Sequence, residues 1–192
     1  MSKSIVDVNP YVGMDIESSN LDADFGMVLT AVIKPFGAAP IVLRHDKQKS
    51  YGPPGFLDKE LVRDIRDVLQ EIADDAGILV TYNGKRFDLR FLNTRLIANR
   101  LKPIRYGMHV DLFQEVRRHL RMGRYSLEAV QRLLELDTSK TKILPQYWIP
   151  ALRGDKKAMD YVVDHCIKDV MVVEEVFPIL RPFISRLDKS GF

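Results

Sequence analysis

A chain of 192 residues is long enough to bury one complete core, and no composition shift along it marks a second domain. Its 46% hydrophobic and 29% charged residues exclude a disordered or fibrous class, and no apolar run reaches the ~20 residues that span a bilayer. The net charge of +3 leans only weakly towards a polyanionic partner, so where the charges lie matters more than their sum.

Residues 11–18 (YVGMDIES) read as a strand, which sends alternate side chains to opposite faces. Val12, Met14 and Ile16 fall on one face, and Asp15 and Glu17 fall together on the other, roughly 7 Å apart. Taken alone, such a pair equally suits solvated acids on an edge strand. A polar turn at 20–24 leads to a second apolar strand at 26–33. A Pro/Gly connection at 35–40 then leads to a third at 41–44, which reads as an antiparallel meander. A polar, Pro/Gly-rich loop over 47–55 is expected to be mobile. Over 57–76, Leu61, Ile65, Val68, Leu69 and Ile72 recur at helical spacing, and Gly77 stops the helix.

Residues 78–82 (ILVTY) form a fourth strand, apolar enough to lie centrally and parallel to the first. A second helix over 87–99 buries Phe91, Leu92 and Leu96. A fifth strand at 108–112 runs straight into a basic helix expected to end near Gly123. Arg100, Lys102, Arg105, Arg117, Arg118, Arg121 and Arg124 outnumber Asp111 and Glu115 here, which suits either a solvated face or a surface that tracks phosphates. Ser126 is a fitting N-cap for a further helix with Val130, Leu133 and Leu134 inside. The stretch 138–150 reads as irregular, and 155–180 as a long closing helix ended by Pro182. The element order predicts an α/β domain with a five-stranded mixed sheet, three strands antiparallel and two parallel, flanked by helices. Right-handed crossovers bring the ends of strands one, four and five to one edge. The lone cysteine, Cys166, excludes an internal disulfide; with no secretory signal at the N-terminus, a cytoplasmic setting is expected.

Chemistry-bearing residues recur at that edge. In Tyr82-Asn83-Gly84-Lys85-Arg86-Phe87-Asp88, Asn83-Gly84 makes the turn and Asp88 enters the first helical turn, where its charge is favoured. Helix-end stabilisation alone would explain Asp88; Lys85, Arg86 and the amides of that helix start are also suited to a phosphate. On the last helix His165 and Asp169 share a face, their Cβ atoms about 6 Å apart. A single histidine there is ordinarily a satisfied core or surface residue, but Asp169 beside an apolar stripe needs a partner. Two like charges at 4 Å repel by about 4 kcal/mol at an effective dielectric near 20, so four acids at one edge call for divalent cations. Hard oxygen ligands suit Mg²⁺ or Mn²⁺, and two such ions ~4 Å apart clamp the attacking and leaving oxygens of a phosphodiester.

The residues Asp15-Ile16-Glu17, then Asn83-x-x-x-Phe87-Asp88, then Asp169 resemble the three motifs of the DEDD 3′–5′ exonuclease superfamily, which has the ribonuclease H-like fold. The second motif, with His109-Val110-Asp111-Leu112 and Ser126-Leu127-Glu128-Ala129-Val130, is most similar to proofreading domains of family B DNA polymerases. The resemblance implies that Asp15, Glu17 and Asp169 hold one metal, Asp15 bridges to a second, and Asp88 reaches that one directly or through water. It also implies that Asn83 contacts the terminal nucleotide, with Ile16 and Phe87 close by. The family's third motif reads Tyr-x-x-x-Asp in one branch and His-x-x-x-x-Asp in the other. Here His165 stands at the tyrosine spacing, where an imidazole suits positioning or deprotonating water.

The expected activity is metal-dependent 3′–5′ exonuclease action on single-stranded ends, DNA favoured over RNA. The alternatives are a nucleic-acid-binding module with an impaired site and a structure-selective endonuclease. Lys140, Lys142, Tyr147 and Trp148 are suited to a stacking and phosphate-binding wall for a single strand, although aromatics near a proline more commonly pack in a core.

Overall fold

The computed structural model describes residues 10–48, 57–105, 107–136, 144–184 and 188–190. Among the described residues six strands form one sheet in the order β3-β2-β1-β4-β5-β6. They are β1 (Tyr11–Ser18), β2 (Val28–Pro35), β3 (Ile41–Arg44), β4 (Ile78–Thr81), β5 (Gly107–Asp111) and β6 (Asp188–Ser190). The first three run antiparallel, β1, β4 and β5 run parallel, and β6 closes the β5 edge antiparallel. The five expected strands are present, and β6 is a short addition whose polar residues carry no apolar alternation to announce it. The helices are α1 (Lys59–Asp74), α2 (Asp88–Ala98), α3 (Leu112–His119), α4 (Leu127–Leu133), α5 (Trp148–Leu152) and α6 (Lys156–Leu180).

The alternation in β1 decides the layering. Val12, Met14 and Ile16 face a core shared with Leu61, Ile65 and Leu69 of α1 and Leu92 of α2. The other face lies beneath α6, whose Val172, Val173 and Val176 pack with Val80 and Val110, while Met159 and Val162 meet Leu29. Gly13 belongs to this second face. A Cβ there would stand 2.9 Å from Val170 Cγ1 and 3.2 Å from Phe36, so α6 crosses β1 where β1 has no side chain.

A buried polar knot ties the first layer together. Asp58, fully buried at the head of α1, accepts from Arg95 Nε and Nη2 at 2.8 Å each, from Asn99 Nδ2 at 2.9 Å and from Val28 N at 3.1 Å. Arg95 also donates to the Ala23 carbonyl, so α1, α2 and the β1–β2 connection share one carboxylate.

Several boundaries differ from the sequence expectation. The second strand starts at Val28 because Gly26 N bonds Asp22 O and Ser19 N bonds Met27 O, which keeps those residues in the turn. The basic helix stops at His119 rather than near Gly123, and Leu120 is already extended. Leu112 opens that helix instead of closing the strand, because Asp111 caps it by accepting from Phe113 N at 3.0 Å. Within the stretch read as irregular, Pro145–Tyr147 form a 3-10 turn leading into α5.

Candidate active site

Three elements deliver the acids. Asp15 and Glu17 project from β1 towards α6. Asp88 opens α2, and its Oδ1 accepts from the Ile16 amide at 3.0 Å, which fixes α2 against β1. On α6, His165 Nε2 stands 3.8 Å from Glu17 Oε1 and 3.7 Å from Asp169 Oδ2, so the imidazole lies between the two carboxylates. Cys166 Sγ lies 3.4 Å from both Oδ2 and the carbonyl oxygen of Asp15, a thiol donor against the central acid. Asp88, His165 and Asp169 are buried.

The electrostatics record this convergence. Burial, then the charges of Asp88, Glu17 and Asp169, hold the Asp15 carboxyl well above the usual carboxylate range. Burial first, with Asp111 and Asp169 adding, pushes Asp88 up to about 7, although bonds from the Ile16 amide and its own amide pull the other way. Burial raises Asp111 also, against the amides that bond to it. Among the described residues no three histidine, cysteine or acidic side chains are already closed into a metal cage. The charges of Glu17, Asp88 and Asp169 act on Asp15, and the oxygens of these carboxylates, with His165 and Cys166 beside them, are donors that fit hard divalent cations.

A groove of about 760 Å³ opens beside this centre, lined by Asp15, Asp169, Asn83 and Val173 on one side and by Tyr82, Phe113 and residues 123–127 on the other. Tyr82 meets Phe113 edge-on and donates its hydroxyl to the Tyr125 carbonyl at 2.5 Å. The Arg117 guanidinium lies 5.8 Å from the Phe113 ring centre and 5.6 Å from that of Tyr125, bringing positive charge to the groove wall. Arg121 and Arg124 are exposed on the same loop.

The remaining expected residues are dispersed. Arg86 and Phe87 line a separate cavity of about 320 Å³ with Asp22, Asp24 and Arg90, and none of the four acids borders it. Lys85 is exposed, while Ile16 is buried in the α1/α2 core and serves the site through its amide. The amides at the start of α2, expected to suit a phosphate, already have partners. Asn83 N and Lys85 N donate to Asp111 at 2.8 and 3.0 Å, and Arg86 N and Phe87 N donate to the Asn83 carbonyl. Lys140 and Lys142 lie outside the described residues.

Tyr147 stacks on Tyr161 with ring centres 4.1 Å apart. Trp148 is half-buried against the Leu29–Met159 cluster, and its Nε1 donates to the Ser18 carbonyl at 2.6 Å. Trp148→Phe keeps an aromatic ring, though a smaller one, and removes that bond. It is expected to lower stability by about 1 kcal/mol, or ~2–4 °C in a thermal melt, with single-strand affinity unchanged. A fall in affinity at constant melting temperature would instead make the indole a substrate contact.

Asp111, Cys166 and Gly13 were not among the residues expected at the site, although Asp111 belongs to the quoted His109-Val110-Asp111-Leu112 stretch. Asp111 was visible as an acid between a strand and a helix, the position of a cap; the other two carry no local signal.

A strand carrying two acids, a helix that opens on a third, a crossing helix carrying a fourth and a mixed sheet between helices define a class. The chain belongs to the ribonuclease H superfamily, whose RNase_H_2 model matches residues 14–180. It is similar to the DNA polymerase of Thermococcus litoralis, 26% identical over 155 residues, which covers 69% of this chain and 9% of the polymerase. The DNA polymerase of Methanocaldococcus jannaschii is 27% identical over 160 residues, again with 9% of the polymerase covered. The chain thus spans less than a tenth of the length of these relatives. Among solved structures, the family B DNA polymerase of the archaeon Pyrobaculum calidifontis superposes with a TM-score of 0.71 at 18% identity, covering 90% of this chain and 24% of that one. An apo form of a nuclease superposes at 0.59 and 14% identity, covering 95% of this chain and 76% of that one. At these identities the two structures establish the shared fold. No helix among the described residues is long and apolar enough to cross a membrane.

Proposed function

We propose that the chain is a metal-dependent 3′–5′ exonuclease that shortens single-stranded nucleic acid, preferentially DNA. Superfamily membership and similarity to a segment of DNA polymerases support a nuclease. The observation that carries the finer reading is that the charges of Glu17, Asp88 and Asp169, from β1, α2 and α6, all reach Asp15, beside a groove walled by aromatic rings and arginines.

Asp15, Glu17 and Asp169 would hold one divalent cation, and Asp15 with Asp88 a second. Such a pair supplies Lewis-acid charge to the attacking and leaving oxygens. His165, between Glu17 and Asp169, orients the attacking water and takes its proton. Water attack on the last phosphodiester forms one P–O bond and breaks the bond to the 3′ oxygen. The products are a nucleoside 5′-monophosphate and a strand one residue shorter. Tyr82, Phe113 and Tyr125 offer faces and edges for bases, while Arg117, Arg121 and Arg124 offer charge to the backbone.

Digestion of 5′-labelled oligonucleotides tests this reading. Mg²⁺- or Mn²⁺-dependent shortening from the 3′ end is expected, faster on single-stranded DNA than on duplex or RNA, and absent in Asp15→Ala. Cutting of circular single strands would make the enzyme an endonuclease. Salt-sensitive binding without turnover, unchanged in Asp15→Ala, would make the chain a binding module.

A further inference from the structure

Asp111 is a buried carboxylate that the mechanism above does not use. It sits at the C-terminal end of β5, directly opposite Thr81 of β4. Oδ1 accepts from Asn83 N at 2.8 Å and Phe113 N at 3.0 Å, and Oδ2 accepts from Lys85 N at 3.0 Å. Capping α3 alone would need only one acceptor oxygen, which serine or asparagine supplies at lower desolvation cost. A carboxylate has two acceptor oxygens and no donor, so it satisfies both loop amides as well; an asparagine would turn its NH₂ towards one of them.

Those amides belong to the loop between β4 and α2, whose own bonds run from Arg86 N and Phe87 N to the Asn83 carbonyl and leave the Asn83 and Lys85 amides to Asp111. Asn83 has φ +66°, a left-handed conformation that asparagine tolerates better than other residues with a side chain and that turns the chain at this point. Gly84 follows it with no room for a Cβ, which would come within 2.4 Å of Thr81 Oγ1. Asn83 lines the groove together with Asp15 and Asp169.

We infer that Asp111 is a positioning residue for the terminal nucleotide, acting through Asn83: its carboxylate folds the loop that presents Asn83 to the groove. This rests on the nuclease reading above. Asn83→Gly removes the side chain while glycine accepts the same backbone angle, and Asp111→Asn removes the clamp. Each is expected to lower kcat/KM on a 5′-labelled single strand with Mg²⁺ by about tenfold or more, since a displacement near 1 Å costs up to ~10²-fold. The loss falls on the same parameter, kcat or KM, in both, and the double variant is no worse than Asn83→Gly alone. Losses that multiply, or that fall on different parameters, overturn the inference.

Hydrogen exchange reads the clamp independently of activity. In Asp111→Asn the Asn83 and Lys85 amides are expected to exchange at least ~10-fold faster, with the Leu79 and Val80 strand amides unchanged. Equal acceleration of the strand amides would mean general destabilisation and would also overturn it. Asp111→Ser, which retains a cap for α3, replaces the asparagine variant if that one does not fold. If the wild-type chain binds single strands without cutting them, the nuclease reading fails and the same cycle on affinity decides the role of Asp111. Absence of both binding and cutting overturns both.

Discussion

Asp88→Asn is expected to make the metal-free protein more stable at neutral pH while abolishing cleavage. The Asp88 carboxyl is pushed from 3.8 to about 7, chiefly by burial and further by Asp111 and Asp169. Because the folded pKa exceeds the unfolded one, the folded chain holds the proton more tightly. The group's contribution is therefore most favourable below about pH 4, is lost progressively as pH rises to about 7, and is flat above. Roughly three pH units at ~1.4 kcal/mol each put the loss at ~4 kcal/mol. Asparagine keeps an acceptor for the Ile16 amide and carries no charge, so this slope disappears.

Asp15, raised in the same direction, leaves a residual slope of the same sign. Urea unfolding in EDTA between pH 4 and 8 measures both; a wild-type stability that climbs across this window would contradict the assignment. Adding Mg²⁺ should restore wild-type stability at neutral pH and do less for the variant. Cleavage should fall by ~10³-fold or more, since charge stabilisation by a bound ion is worth several kcal/mol.

Asp58→Ala is expected to cost about 3–5 kcal/mol, a large share of the 5–15 kcal/mol typical of a domain. The substitution strands the Arg95 guanidinium, 5% exposed, and removes acceptors from Asn99 and Val28. The urea midpoint should fall sharply with the m-value unchanged. Pairing Asp58→Ala with Arg95→Met should recover much of the loss, because no uncompensated charge then stays buried. A single-variant loss below about 1 kcal/mol would mean that the knot contributes little to holding α1, α2 and the β1–β2 connection together.

The parts legible in the sequence were those in which one short stretch contains the whole instruction. Alternation in 11–18 separates Met14 and Ile16 from Asp15 and Glu17, and the four-residue interval places His165 and Asp169 within 3.7 Å of each other. Ser126 announces its own cap and accepts from Ala129 N. What stayed hidden depends on partners distant in the chain. Asp58 and Arg95 are 37 residues apart, and Asn83 and Asp111 28 apart, so each looks like an ordinary surface polar residue until the sheet assembles. The stop of α3 at His119 was masked by a run of basic residues that helices and loops accommodate equally. Trp148 beside Pro150 gave no sign that its indole would reach Ser18.

Gly13 sets a tolerance for the entire centre. Asp15 and Glu17 ride on the strand and Asp169 on the helix. The seam between these two carriers is gauged by a hydrogen atom against Val170, where even a methyl group would intrude to 2.9 Å. The Mg²⁺ proposed above, which bonds its ligands at ~2.0–2.1 Å with little slack, would not follow one carrier if the other were shimmed outward. On the proposed reading, a side chain at position 13 would disarm the centre with every acid intact, and an inventory of carboxylates would be a poor guide to activity unless the thickness of that seam were known.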